Sequence, residues 1–358
     1  VTWIFEIMRL GLLMLVVFSI LFSGSIFQPP SPPSGELPQV SIHAIGWNGE
    51  YWLIGGNTFR IFEDGFSPCP LLVEYSNDHF ADLSSQFDIG DKIIDSILWN
   101  GEYWLIAYSF HEYGGLLRYD GEKFSNIPLP GSPQSLRVAA IDWNGEYWLI
   151  GGGYIGYGYL IQYDGASTND LTLLSGISAV RSITWIDNFW LISGTDAERV
   201  EMLVKYNGYT FEEVEYPAFV GSINTACWNG EYLLVSDDEL MTFDGTEFEN
   251  TTFNGRRIFS LSWNGEYWLI GGEDGMLTMF DGTTFTDLKG EAEFSSSIKA
   301  LAWNGKYWLI GDTGGTLKIY DGEEFTELTA KFVDALPGSL QPIYEPAASS
   351  GPMVRHRN

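Results

Sequence analysis

Seven copies of one unit, two glycine-containing turns inside each copy, and no helical periodicity after residue 40 predict an all-β chain. The specific expectation is a seven-bladed β-propeller of four-stranded antiparallel blades, preceded by a hydrophobic N-terminal segment.

The unit is anchored on WNGEYWLIGG, which occurs unchanged at Trp47, Trp143 and Trp263. Close variants begin at Trp99, Trp228 and Trp303, and a degenerate copy, WIDNFWLISG, begins at Trp185. Successive tryptophans lie 52, 44, 42, 43, 35 and 40 residues apart, the period of propeller blades. A second mark is an apolar stretch ending in Asp-Gly or Asn-Gly at 64–65, 120–121, 164–165, 207–208, 244–245, 281–282 and 321–322. Five copies place a phenylalanine three residues later: Phe124, Phe211, Phe248, Phe285 and Phe325.

Each mark reads as a tight hairpin, because Asn-Gly and Asp-Gly suit two-residue turns with φ > 0 at both centres. In the copy at Trp263, residues 258–263 form the first strand and Asn264-Gly265 the turn. Residues 267–271 form the second strand and 276–280 the third; Asp281-Gly282 then leads to a fourth strand carrying Phe285. First strands such as IFSLSW and IKALAW are apolar on both faces, as expected between neighbouring blades. The many Trp, Tyr and Phe residues are therefore expected in the core. Ring closure is open at this stage: a strand near Val40 or from residues 329–336 seals it, or side-chain packing alone does.

The meander puts both glycine turns of every blade at one end. The second-to-third-strand loops and the blade-to-blade crossovers lie at the other end. The turn end is uniform, so binding is expected on the variable end. There, long loops at 107–115, 151–159 and 193–201 fall in blades 2, 3 and 4, and the longest crossover is expected at 66–92. Tyr108, His111, Tyr113, Tyr154, Tyr157 and Tyr159, with Asp196 and Arg199, are the candidate ligand-binding residues, since tyrosine on glycine-rich loops gives broad contact at low entropy cost.

The chain carries 47 acidic against 18 basic residues, a net charge of −29. Such a surface repels phosphate, which argues against nucleic acid and against docking on anionic lipid. It favours cations, basic proteins or neutral glycans. Asp237, Asp238 and Glu239, Glu273 and Asp274, and Asp312 offer oxygen ligands to Ca²⁺, but without EF-hand spacing, and solvated turn residues are the simpler reading. Two cysteines far apart, Cys69 and Cys227, exclude a disulfide framework, and no cofactor is expected.

Residues 10–22 are an uncharged apolar run after Arg9 and before Ser23, Gly24 and Ser25. Residues 1–27 therefore read as a signal peptide or N-terminal membrane anchor, implying secretion or cell-surface display. A Pro-rich linker (28–38), the propeller (39–336) and a loose tail (337–358) follow. The sequon at Asn250 is a glycosylation acceptor if the export route allows.

The unit resembles a kelch repeat. Leu269-Ile270-Gly271-Gly272 matches the Gly-Gly step, and Tyr119-Asp120, Tyr163-Asp164 and Tyr320-Asp321 match the Tyr-Asp step. Phe285 and its equivalents stand where kelch units usually carry Trp. Gly-Gly is replaced in four copies, for example by Gly311-Asp312. The resemblance implies a binding scaffold for a protein or glycan. The alternative is a carbohydrate hydrolase or lyase with an acidic site at the axis, for which Asp142 is a candidate. Asp142 reads more simply as a hydrogen-bonding residue inside the seam between blades. Four histidines, His43, His79, His111 and His356, do not make a catalytic or copper-binding set.

Overall fold

The computed structural model of the protein describes residues 40–62, 65–111, 113–129, 137–154, 157–215, 223–236 and 239–336. The expected leader, linker and tail lie outside these residues. Among the described residues there are seven sheets, each of four antiparallel strands in sequence order. The first strands of successive blades touch one another all the way round, blade 7 against blade 1, so the sheets form a closed ring.

Blade 6 shows why the sequence folds this way. Ile258–Trp263 pairs with Trp268–Gly272, which pairs with Leu277–Phe280, which pairs with Phe285–Asp287. The second strand is buried throughout, whereas the fourth is mostly exposed and carries polar residues. The turn differs from expectation. Trp263 pairs with Trp268, leaving four residues between them, and only Gly265 has positive φ, +104°. Asn264 Oδ1 accepts the N–H groups of Glu266 and Tyr267 at 2.9 and 2.8 Å. The asparagine side chain closes the turn, so its backbone need not become left-handed. Asn48, Asn100, Asn144, Asn229 and Asn304 repeat this arrangement.

The second-strand tryptophans Trp52, Trp104, Trp148, Trp190, Trp268 and Trp308 are the largest buried side chains. Each lies against an aromatic ring of the preceding blade. The Trp104, Trp148 and Trp190 indoles donate to the Tyr51, Tyr103 and Tyr147 hydroxyls at 3.0, 2.9 and 3.1 Å. These bonds pin neighbouring blades together while satisfying the polar end of each buried aromatic.

Among the described residues the ring closes by packing, with no strand shared across the seam. Ile42, Trp52 and Phe80 of blade 1 share one core with Leu309 and Leu317 of blade 7. Gly311 is required here, since a Cβ on it would come within 2.5 Å of Ile42 Cγ2. The last helix, Thr329–Asp334, follows the final strand and buries Phe332 against Phe80, with ring centroids 5.6 Å apart. Short helical turns also follow the fourth strands of blades 3 and 6, at Thr172–Ser175 and Lys289–Ala292. They escaped the periodicity test because each is a single turn.

Blade 1 departs from the sequence reading. Asp64-Gly65 is not its third turn. Its second strand, Trp52–Phe62, pairs with Gly65–Ser76, and the third-to-fourth turn is Asn77-Asp78, both at positive φ. The stretch expected as the longest crossover therefore holds two strands of blade 1, and its hairpin is the longest in the ring.

Candidate ligand-binding face

The second-to-third-strand hairpins are unequal. In blades 2, 3 and 4 they are Trp104–Phe110 with Tyr113–Tyr119, Trp148–Tyr154 with Tyr157–Tyr163, and Phe189–Thr195 with Glu201–Tyr206. In blades 5, 6 and 7 no strand of the pair exceeds five residues. With the long hairpin of blade 1, four consecutive blades raise ladders on the face opposite the uniform turns. Most of the expected loop residues of blades 2 and 3 are thus projecting strand, whereas 196–200 in blade 4 remain a loop.

The candidate residues separate into three groups. Tyr113, half exposed at 47%, stands on the blade 2 hairpin beside His111, whose ring packs on Phe110 at 4.2 Å. His111 and Arg199 hold positive φ, 56° and 67°, at the hairpin tips of blades 2 and 4, and both are exposed. Three others serve the scaffold. Tyr159 is only 4% exposed and donates its hydroxyl to the Arg137 carbonyl at 3.3 Å, so it is a core residue and not a contact residue. Tyr108 folds its ring over Gly115, and burial raises its pKa. Asp196 Oδ1 accepts the Val200 N–H at 2.8 Å and closes the turn. The side chains of Tyr154 and Tyr157 lie outside the described residues, though the two pair across their hairpin.

Two features of this face were missed from sequence. The first is apolar. Among the described residues, five large hydrophobic side chains are exposed: Tyr113, Leu173, Leu174, Val200 and Tyr209. Tyr209 sits at a turn on the uniform end. The other four all sit on the variable end of blades 2, 3 and 4, and Leu173 is 98% exposed. Leu173 and Leu174 ride the single helical turn Thr172–Ser175, where no periodic pattern marks them.

The second feature is at the axis. The ladder between the first and second strands slips one residue in six blades, at the residue four before the repeat tryptophan. Those residues are His43, Asp95, Ala139, Arg181, Phe259 and Lys299, and Asn224 is the blade 5 equivalent. A signal was present: this position, like the one just before the tryptophan, changes chemistry from copy to copy, and it alone carries an ionisable side chain in four copies. Bulges of this kind re-aim a side chain. First strands end in tryptophan at the turn end, so these residues lie toward the variable face.

Two of them, His43 and Asp95, feel the charge of a third, Lys299. Lys299 of blade 7 senses Asp95 of blade 2, Arg137 of blade 3 and Arg257 of blade 6. Blades 7 and 3 are not neighbours in the ring, so the charge of Lys299 is felt across the axis. Burial pushes the Asp95 carboxyl up; the Ser109 hydroxyl, which donates to it, then Arg137 and Lys299 pull it down. Burial likewise pushes Lys299 down. His43 falls to about 4, first through burial and then through the Lys299 charge, and its Nε2 lies 3.1 Å from Asn57 Oδ1. Arg257 and Lys299 both lie over the Phe259 ring, at 5.5 and 5.7 Å. Arg181 is paired with Glu201 at 3.0 Å.

Asp142 lies elsewhere. Its two oxygens accept the N–H groups of Trp143 and of Trp185 in the next blade, inside the seam. Cys227 is a partly buried packing residue whose thiol burial raises to about 12. Among the described residues no group of three or more His, Cys, Asp or Glu side chains could hold a metal ion, and no helix is long and apolar enough to cross a membrane.

No family model matches the chain, and no curated protein matches it. Solved structures do. YCF48 bound to D1 peptide is 14% identical, with 80% of this chain and 93% of that one covered and a TM-score of 0.58. A chain of the mitotic checkpoint complex is 14% identical, covering 83% and 99%, with a TM-score of 0.59. The computationally designed Ika8 protein is 13% identical, covering 80% and 98%, with a TM-score of 0.53. At these identities the likeness is one of fold, and the chain is an all-β, seven-bladed propeller.

Proposed function

We propose that this propeller is a non-catalytic protein-binding scaffold that docks its partner on the face built by the long hairpins of blades 1 to 4. One observation carries the reading. Tyr113, Leu173, Leu174 and Val200, four of the five exposed large apolar side chains among the described residues, all lie on the hairpin end of blades 2 to 4. Apolar groups gathered on a rigid surface mark interaction sites, whereas single scattered ones do not. Two of the similar folds, YCF48 with its D1 peptide and the mitotic checkpoint complex, occur in protein assemblies, which is in keeping with it. The kelch-like step at Gly271-Gly272 and the apolar run at 10–22 support the finer reading of a kelch-like scaffold, exported or membrane-anchored.

The test replaces Leu173 and Leu174 together by serine in the full chain and measures affinity for a protein first isolated by pull-down on the parent chain. Both side chains are solvated, so stability should stay within about 0.5 kcal/mol, while affinity should fall about ten-fold or more. Unchanged affinity would remove this sector from the interface. Binding to a glycan array that is lost in the same variant would reassign the ligand class.

A further inference from the structure

Four blades follow their fourth strand with a short helical turn entered from a leucine: Leu83, Leu171, Leu288 and Leu328. The second and third residues after that leucine are exposed in all four. Blade 1 places Ser85-Gln86 there, blade 6 Gly290-Glu291 and blade 7 Ala330-Lys331, whereas blade 3 places Leu173-Leu174. The turn therefore forms without apolar side chains at these positions, and folding does not account for the leucine pair. Val200 repeats the contrast. Its turn is closed by Asp196, whose Oδ1 accepts the Val200 N–H and whose own N–H donates to the Val200 carbonyl. Asp312 closes the matching turn of blade 7 by the same two bonds to Thr316. Blade 4 thus exposes a valine where blade 7 uses a hydroxyl residue.

The two leucines and the valine belong to one piece of surface. Leu171 and Ile177, on either side of the blade 3 turn, share a core with Met202 of blade 4. The Ser178 N–H donates to the Thr195 carbonyl at 2.7 Å, one residue before Asp196. Carboxylates border this surface. Asp170 Oδ1 accepts the Thr172 N–H at 2.9 Å, Asp196 closes the valine turn, and Glu198 is exposed on that turn. With Glu201, the border holds four acids against two cations, Arg181 and Arg199, and Arg181 is paired with Glu201 at 3.0 Å. A second copy of the chain, itself at −29, is repelled, and so is an acidic partner. An apolar centre with a carboxylate border complements apolar side chains flanked by lysine or arginine.

We infer that Leu173, Leu174 and Val200 dock a basic apolar segment of a partner protein, whose cations meet Asp170, Asp196 and Glu198. The assignment rests on the protein-binding reading above and names the partner's chemistry: the apolar side chains supply the contact and the carboxylates the selectivity.

Fluorescence anisotropy on the full chain tests it with three labelled, end-blocked probe peptides: alternating Leu-Lys, Leu-Glu and Ser-Lys. Ser-Lys measures what bulk charge alone does. The expected result is that Leu-Lys binds about ten-fold or more tightly than either of the others. Leu173→Ser combined with Leu174→Gln, the pair that blade 1 carries, leaves the charge unchanged and should lower that affinity about ten-fold or more. Glu198→Lys should lower it about five-fold or more, and Glu146→Lys, the same charge change on the turn face, less than about two-fold. Arg199→Glu should raise it. Ser-Lys bound as tightly as Leu-Lys, Leu-Glu bound as tightly or better, or equal losses in Glu198→Lys and Glu146→Lys overturns the inference. A dimer seen by sedimentation and dissolved in the leucine variant overturns it too, giving the surface to a second copy. The protein isolated by pull-down separates this inference from the reading beneath it. If that protein is lost in the leucine variant while Leu-Lys binds no better than Leu-Glu, the inference fails and the protein-binding reading stands. If it is retained in the leucine variant, the sector is removed and both fall.

Discussion

The Asp142 carboxylate in blade 3 accepts the backbone N–H of Trp185 in blade 4 at 2.8 Å, while its other oxygen accepts the N–H of Trp143 at 2.8 Å. One side chain thereby staples two blades by setting an oxygen against each N–H, which an amide cannot do. Asp142→Asn puts an NH₂ group against one of those N–H donors and should cost about 1–3 kcal/mol. Urea unfolding of the variant measures this, and a midpoint equal to the parent's would show that the staple adds nothing.

The same staple has a pH signature. Burial raises Asp142 to about 6 from its ordinary 3.8, so the native state holds its proton more tightly than the unfolded chain. Its contribution to stability is full below pH 4 and is lost as pH rises towards 6. His43 works in the opposite sense. It is lowered to about 4 from 6.5, chiefly by burial and then by Lys299, so its contribution is full above pH 6.5 and is lost as pH falls towards 4. Between pH 4 and 6 the two oppose each other. His43→Gln should therefore gain stability relative to the parent on acidification, and Asp142→Asn should lose it. Unfolding midpoints at pH 7, 5 and 4 check both signs.

The seam between blades 7 and 1 depends on packing. Phe332 is fully buried beside Phe80, so Phe332→Ala should cost about 3–5 kcal/mol. The adjacent Lys331–Asp78 pair, at 2.6 Å, is exposed on both sides, so Lys331→Ala should cost no more than about 1 kcal/mol. Thermal melts separate the two, and a larger loss for the lysine variant would mean that charge, not packing, closes the ring.

Gly311 tests how closely blades approach. A Cβ there meets Ile42 Cγ2 at 2.5 Å across the same seam. Gly311→Ala should destabilise by about 1–3 kcal/mol through overpacking. A neutral melt would show that blade 1 can shift outward at no cost.

The fold was legible because its signals are local and repeated. WNGEYW needs only neighbouring residues to form its turn, and seven copies make the ring's arithmetic plain. Blade 1 misled because Asp64-Gly65 looks like the other turns, while the true turn, Asn77-Asp78, lacks glycine. Of the candidate residues, sequence placed Tyr113, His111 and Arg199 on an exposed hairpin face. It could not show that Tyr159 turns inward, because either side of a strand is compatible with tyrosine. The local charge pattern near the axis was hidden by the total charge. A sum of −29 says nothing about Lys299 and Asp95, which lie far apart in sequence and feel each other's charge only once blades 7 and 2 stand round one axis.

Tyr113 and Tyr209 offer the most direct test of which end of the ring meets a partner. Both are exposed tyrosines, one on the blade 2 hairpin and the other on a turn at the opposite end of blade 4. A photo-crosslinking amino acid placed at each position in the full chain should give a discrete protein adduct from position 113 and none from position 209. Adducts from position 209 alone, or equally from both, would contradict binding on the hairpin face.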